Sequence, residues 1–125
     1  MWLSILVIFC GAGLGALLRA GFNFLTVSAA STLPLGTFIS NMVGGYFVGL
    51  AVAFFGNNPQ LSPEWRLLVV TGFLGGLTTF SSFSAEVVAF IQRGELTWAL
   101  GTALLNLVGS ILLTFLGILT YQALK

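Results

Sequence analysis

Four long apolar segments follow one another along the chain, separated by short polar turns. They cover about residues 3–26, 35–55, 63–93 and 96–124, and each reaches the roughly 20 residues that a helix needs to cross a bilayer. The turns fall at residues 28–34 and 56–59, and Gly94 ends the third segment. The pattern predicts an all-α membrane protein in which residues 1–125 form a single domain of four transmembrane helices.

The third segment is a poor sequence for one continuous helix. Residues 72–86 read GFLGGLTTFSSFSAE, in which glycines cost backbone entropy and adjacent threonine hydroxyls compete for backbone hydrogen bonds. An interrupted helix is tolerated in hydrocarbon only where the freed backbone is buried in protein or lines an aqueous cavity. We therefore predict that the third helix is broken mid-membrane at residues 75–79 and that the break carries function. The alternative is a patch of small residues that only packs helices.

Small and polar residues recur at every fourth position in the other three segments. Such a spacing keeps residues on one face of a helix, and the glycines among them predict close helix packing. An unpaired side-chain amide is costly in lipid, so the two asparagines must face protein, each other or an aqueous path. The three stripes are Gly11, Gly15, Arg19 and Asn23; Thr37, Asn41, Gly45 and Gly49; and Thr102, Asn106, Ser110 and Thr114.

Composition excludes several classes of protein. The chain is 58% hydrophobic and 6% charged, whereas a soluble domain carries charge on about a quarter of its residues. Histidine is absent and Cys10 is the one cysteine, which excludes a disulfide framework, a Cys/His zinc site and histidine catalysis. The sequence contains no pairing of nucleophile and base, so we expect no catalytic residue and no enzyme. The polar interior consists of hydroxyls, amides and one guanidinium, with Glu86 the only carboxylate away from the segment ends, and such walls favour anions over cations.

The four basic residues are evenly distributed between the two membrane faces. Arg66 and Lys125 belong to one side, while Arg93 and, within the first segment, Arg19 belong to the other. The positive-inside rule therefore has almost no bias on which to act. A chain without an orientation preference can insert both ways and pair as an antiparallel, dual-topology homodimer. The alternative is that the loop lengths set one orientation.

Three groups of residues carry a resemblance to a known family. They are Gly11-x-Gly13 with Arg19, the run Gly36-Thr37…Asn41…Gly44, and GGLTTFSSFS at residues 75–84. Together they resemble the Fluc (CrcB) fluoride channels over all four segments. The resemblance implies a fluoride-selective channel in the cell inner (plasma) membrane that passively exports fluoride from the cytoplasm and reduces its toxicity. It also implies an antiparallel homodimer with two pores, the lipid bilayer and fluoride as partners, and no nucleic acid.

The resemblance also implies roles for individual residues. Asn41, Phe80 and Phe83 match the pore asparagine and the paired phenylalanines, whose positive ring edges can contact an anion. The carbonyls of Gly75 and Thr78 match positions that hold a central structural Na⁺ between subunits, and Arg19 matches an arginine near the aqueous vestibule. A polar track along the pore is inferred for Ser81, Ser84, Glu86, Ser110 and Thr114.

Two other readings of the sequence remain open. One is a small dual-topology exporter of cationic drugs, which needs an acidic residue in the first span; here that span has Arg19 and no Asp or Glu. The other is a non-transporting membrane assembly protein whose glycines only pack helices. Composition and spacing do not separate fluoride from chloride, because the same donors suit both ions.

Overall fold

The computed structural model describes residues 1–27 and 34–125 and is helical almost throughout. Within these described residues, four stretches are long and apolar enough to cross a membrane: Trp2–Thr26, Leu35–Gly56, Pro63–Gln92 and Leu96–Leu124. The predicted all-helical architecture with four membrane spans is therefore confirmed. The predicted turn at residues 28–34 lies outside the described residues except for Pro34, which directly precedes the second span.

The third span consists of several helical pieces. In chain order the helices are α1 (Trp2–Thr26), α2 (Leu35–Gly56), α3 (Pro63–Arg66), a π-helical segment (Leu67–Leu74), α4 (Gly75–Leu77), α5 (Ser81–Gln92) and α6 (Leu96–Leu124). Side-chain amides of Asn57 and Asn58 donate to carbonyls in the last turn of α2, each at 2.8 Å. Gly94 follows α5 with φ +75°, a conformation that other residues rarely adopt.

Helices α2 and α6 run parallel, and their four-residue stripes face each other. Asn41 contacts Asn106, a Cβ at Gly45 would lie 3.0 Å from the Ser110 carbonyl oxygen, and one at Gly49 would lie 2.0 Å from that of Thr114. Each pair has the same sequence separation of 65 residues, because two parallel α-helices rise equally per residue. The glycines therefore allow the close approach of α2 and α6, as the spacing predicted.

Helix α1 packs against the third span through its own glycines. A Cβ at Gly11 would lie 2.5 Å from the Leu68 carbonyl oxygen, and one at Gly15 would lie 2.0 Å from that of Phe73. Real Cβ atoms do not approach backbone oxygens so closely, so these positions require glycine at this helix separation. The packing role predicted for the first stripe is confirmed at both positions.

The third span is bent, and the bend starts later than the sequence predicted. Gly75–Leu77 is still helical, and the interruption covers residues 78–80, where Thr78 is extended with φ −80° and ψ 156°. Gly76 remains in the helix and packs against α1, since a Cβ there would lie 2.4 Å from the Ala12 carbonyl oxygen. Gly76 thus serves helix contact, Gly75 is exposed, and the threonines after them form the bend.

Candidate functional site

The bend diverts two backbone amides from their helical partners. The Thr79 amide donates to Asn41 Oδ1 at 2.8 Å, and the Ser82 amide donates to Thr79 Oγ1 at 3.2 Å. In a continuous α-helix these amides would donate to the carbonyls four residues earlier, those of Gly75 and Thr78. Both carbonyls are thereby released from the hydrogen bonds that a regular helix would give them.

The neighbouring carbonyls of the bend are occupied by other donors. The Leu74 carbonyl accepts from the Thr78 amide at 3.0 Å and from the Thr78 hydroxyl at 2.9 Å. Arg19 Nε donates to the Gly76 carbonyl at 3.2 Å, and Asn41 Nδ2 donates to the Thr79 carbonyl at 3.1 Å. Buried backbone groups are costly to leave unpaired, so these donors stabilise the interrupted helix.

Two buried asparagines connect α2, the bend and α6. Asn41 Nδ2 also donates to Asn106 Oδ1 at 3.0 Å, and Asn106 Nδ2 donates to the Thr102 carbonyl at 3.0 Å. Asn41 is 9% exposed and Asn106 is 4% exposed. The prediction that these amides face protein or each other is confirmed. Asn41 additionally binds both the backbone amide and the backbone carbonyl of Thr79.

A cavity of about 250 Å³ lies beside this network. It combines amides, hydroxyls and aromatic rings, and it brings together four of the predicted pore residues, namely Asn41, Phe80, Phe83 and Ser110. The rings of Phe80 and Phe83 meet edge to face, with centroids 5.5 Å apart and planes at 75°. The complete lining is Asn41, Gly45, Thr78, Thr79, Phe80, Phe83, Asn106, Leu107 and Ser110.

The other residues predicted for the polar track lie elsewhere around the bend. Thr114 lines an adjacent cavity of about 200 Å³ that shares Ser110, and it donates to the Gly45 carbonyl at 2.9 Å. Glu86 accepts a 2.6 Å hydrogen bond from Thr37. Ser84 is exposed, and Ser81 is exposed with its hydroxyl 3.3 Å from that of Thr79. Taken over the described residues, the lining of the 250 Å³ cavity includes none of Ser81, Ser84, Glu86, Thr114 and Arg19.

The sequence analysis had not assigned the side chains of Asn106, Thr78 or Thr79 to the predicted pore, although all three line the 250 Å³ cavity. Asn106 stood in the four-residue stripe of α6, and that stripe was the available signal. Buried hydroxyls at Ser40 and Thr102, and Glu86 Oε1, have no hydrogen-bond partner among the described residues. Thr102 belongs to the same stripe, whereas no spacing pattern singled out Ser40.

Comparison with known proteins places the chain in a family. Residues 6–118 match the family model described as CrcB-like protein, Camphor Resistance (CrcB). The chain is 79% identical, over the full length of both proteins, to the "Fluoride-specific ion channel FluC" of Polynucleobacter asymbioticus. It is 57% identical to the protein of the same name from Pseudomonas syringae pv. maculicola, over 95% of this chain and 94% of that one. A third relative of that name, from Nitrosomonas europaea, is 49% identical over 96% of this chain and 94% of its own. The chain therefore belongs to the CrcB-like family.

Proposed function

We propose that this protein is a fluoride-selective channel of the inner (plasma) membrane that lets fluoride leave the cytoplasm passively and so reduces its toxicity. The observation that carries the proposal is the cavity at the bend, which is lined by amides, hydroxyls and two phenylalanines. The name of the relative that is 79% identical, a fluoride-specific ion channel, supports the same function. An ion channel performs no covalent chemistry, consistent with a chain that is not an enzyme.

The lining of the cavity suits a small anion. Fluoride is tightly hydrated, so a narrow passage must replace its water with donors. Amide N–H groups and the positive edges of Phe80 and Phe83 supply such contacts without a full counter-charge. No carboxylate stands in the lining of the cavity among the described residues, so an anion meets no fixed negative charge there.

The pathway is proposed to be completed by a second, antiparallel copy of the chain. Phe80 is 76% exposed although it lines the cavity, and Gly75 on the preceding turn is also exposed. Exposed positions beside a polar site in mid-membrane favour the presence of a partner that covers them. The balanced distribution of basic residues supports insertion in both orientations, and such a dimer would contain two pores, each lined by both subunits.

The bend fits a structural Na⁺ on the axis of that dimer. The Gly75 and Thr78 carbonyls are released from helical hydrogen bonding by the contacts of Asn41 and Thr79 described above. A twofold axis would bring two such pairs together, and four carbonyl oxygens suit a hard cation. When bound, the ion would supply positive charge that holds the two bends together.

The remaining predicted roles are proposals of the same kind. Ser110 and Thr114 line two adjoining cavities along α6, which supports a polar track in that direction. Ser81, Ser84 and Glu86 are proposed to extend the track along α5. Arg19, which donates to the bend from α1, is proposed to place positive charge near an aqueous vestibule.

Cells that lack their own fluoride exporters test the proposal. Expression of the chain is expected to restore growth in millimolar sodium fluoride and to lower the cytoplasmic fluoride measured with an electrode after lysis. The matched control is Phe54→Met, which removes a ring outside the 250 Å³ cavity and should still restore growth. Failure of the unaltered chain to lower cytoplasmic fluoride, despite its presence in the membrane fraction, would contradict the proposed function.

A further inference from the structure

Arg19 places a charged side chain inside the first span. It lies roughly 10 Å along the helix from the end of α1 at Thr26, and it is partly buried. A charge at such a depth is costly, so it marks a functional position and requires a partner. Arg19 forms no ion pair among the described residues, and its one hydrogen bond there runs from Nε to the Gly76 carbonyl at 3.2 Å. The partner of the charge is therefore the backbone of the third span.

The Gly76 carbonyl belongs to the broken end of that span. The last carbonyls of a helix have no donor within the helix. In a continuous helix the Gly76 carbonyl would accept from the Phe80 amide, but Thr78 between them is extended. No such backbone hydrogen bond is present among the described residues. Arg19 Nε thus donates to the carbonyl that the Phe80 amide would otherwise occupy.

The small-residue face of α1 brings Arg19 to this carbonyl. A Cβ at Gly15 would lie 2.0 Å from the Phe73 carbonyl oxygen, and one at Gly76 would lie 2.4 Å from that of Ala12. Arg19 is the next residue after Gly15 on the same face of α1. Because the two backbones are in contact, the carbonyl is reached by Nε, the first nitrogen along the arginine side chain.

The bend is held on both sides by two different helices. Before the break, Arg19 of α1 binds the Gly76 carbonyl, and after it Asn41 of α2 binds the amide and the carbonyl of Thr79. Phe80 comes next, and its ring lines the 250 Å³ cavity. Without the donor from α1, the Gly76 carbonyl would be free to accept from the Phe80 amide. That hydrogen bond would rebuild the missing helical turn and rotate the Phe80 ring.

We propose that Arg19 is a positioning residue for the pore, and that conduction requires its Nε–H bond to the Gly76 carbonyl rather than its positive charge. The inference rests on the proposed function and deepens it, because it gives Arg19 a role separate from attracting anions into a vestibule. A vestibule charge acts through its field, which any cation at this position would supply. A positioning residue needs an N–H group at one point of the backbone. The two roles therefore predict opposite rankings of substitutions.

Glutamine and lysine separate the two roles. Arg19→Gln removes the charge but keeps a nitrogen bonded to Cδ, where Nε stands in arginine. Arg19→Lys keeps the charge but has a methylene group at that place. The matched controls are Arg93→Gln and Arg93→Lys, because Arg93 belongs to the same membrane side and its Nε binds Glu95 outside the cavity. Arg93→Gln makes the same change in the charge balance between the two faces.

Fluoride efflux from liposomes is measured for these variants at equal amounts of reconstituted protein. Arg19→Gln is expected to stay within roughly threefold of the unaltered chain, since a neutral donor makes a weaker hydrogen bond, and Arg19→Lys to be slowed about tenfold. Both Arg93 variants should match the unaltered chain. Efflux through Arg19→Lys equal to or faster than that through Arg19→Gln, or folding of the lysine variant alone, would overturn the inference. Absence of fluoride efflux from the unaltered chain would instead contradict the proposed function.

NMR of the acceptor carbonyl measures the hydrogen bond itself. Labelling with ¹³C-carbonyl glycine and ¹⁵N-leucine selects three peptide bonds, Gly13–Leu14, Gly49–Leu50 and Gly76–Leu77. Arg19→Leu should move the Gly76 carbonyl signal upfield and Arg19→Gln should restore most of it, while the Gly13 and Gly49 signals stay in place as controls. A Gly76 signal that is the same in the unaltered chain and in Arg19→Leu would show that the bond is absent and would overturn the inference.

Discussion

Replacing Asn41 with leucine should destabilise the protein by removing the support of the bend. Leucine has the same branching and the same number of side-chain heavy atoms as asparagine, but the change removes three hydrogen bonds, at 2.8, 3.0 and 3.1 Å. Hydrogen bonds between side chains in membrane proteins average about 0.6 kcal/mol each, so the expected loss is about 2 kcal/mol. The Thr79 amide also becomes free to donate to the Gly75 carbonyl, which would favour a straighter third span.

Unfolding in detergent with a denaturant series, followed by tryptophan fluorescence, measures this loss. The matched control is Tyr46→Phe, which keeps the ring and removes the single hydrogen bond from Tyr46 to Thr120, at 3.1 Å and outside the bend. The control should cost about 0.6 kcal/mol. If Asn41→Leu costs no more than Tyr46→Phe, the hydrogen bonds of Asn41 do not stabilise the bend and the reasoning is wrong.

Three further changes test other parts of the molecule. Phe80→Met should slow fluoride efflux from liposomes at least tenfold, because bulk is kept while the positive ring edge is lost; Phe54→Met, outside the cavity, should not. Gly49→Ala places a Cβ 2.0 Å from a backbone oxygen of α6, so it should lower the free energy of unfolding by about 1–3 kcal/mol in the same assay. Its control is Gly13→Ala, whose Cβ meets no atom within 4 Å and which should leave stability unchanged. Adding three lysines to the turn at residues 28–34 should fix one orientation of the chain in the membrane. Cysteine tags at either terminus of this variant should then be labelled from one side only. Cells that express this variant alone should no longer release fluoride. Labelling of the unaltered chain from one side only would contradict dual topology.

The helices and their packing faces were readable from the sequence because each depends on local pattern. Runs of apolar residues predict spans from the thickness of the bilayer alone. The stripes at every fourth residue predicted a closely packed face on each helix, although not that α2 and α6 pair, and Asn41 and Asn106 had to find polar partners in hydrocarbon. The bend was predicted within the correct stretch, although Gly75 and Gly76 proved helical.

The remaining features depend on how the helices are placed relative to one another. The π-helical segment Leu67–Leu74 arises in a run whose residues carry no signal that separates it from α-helix. The partner of the Thr79 amide is set by the depth of α2 beside the third span. Likewise, the position of Ser110 in two cavities and of Thr114 in one follows from the parallel register of α2 and α6.

Fluoride efflux from liposomes tests the central claim most directly. The unaltered chain is reconstituted with internal potassium fluoride, and valinomycin carries the compensating potassium current while an electrode records external fluoride. The account predicts rapid fluoride release without any proton gradient, and chloride release that is slower by orders of magnitude in the parallel assay. Release of chloride at the same rate as fluoride, or fluoride release that requires a proton gradient, would contradict it.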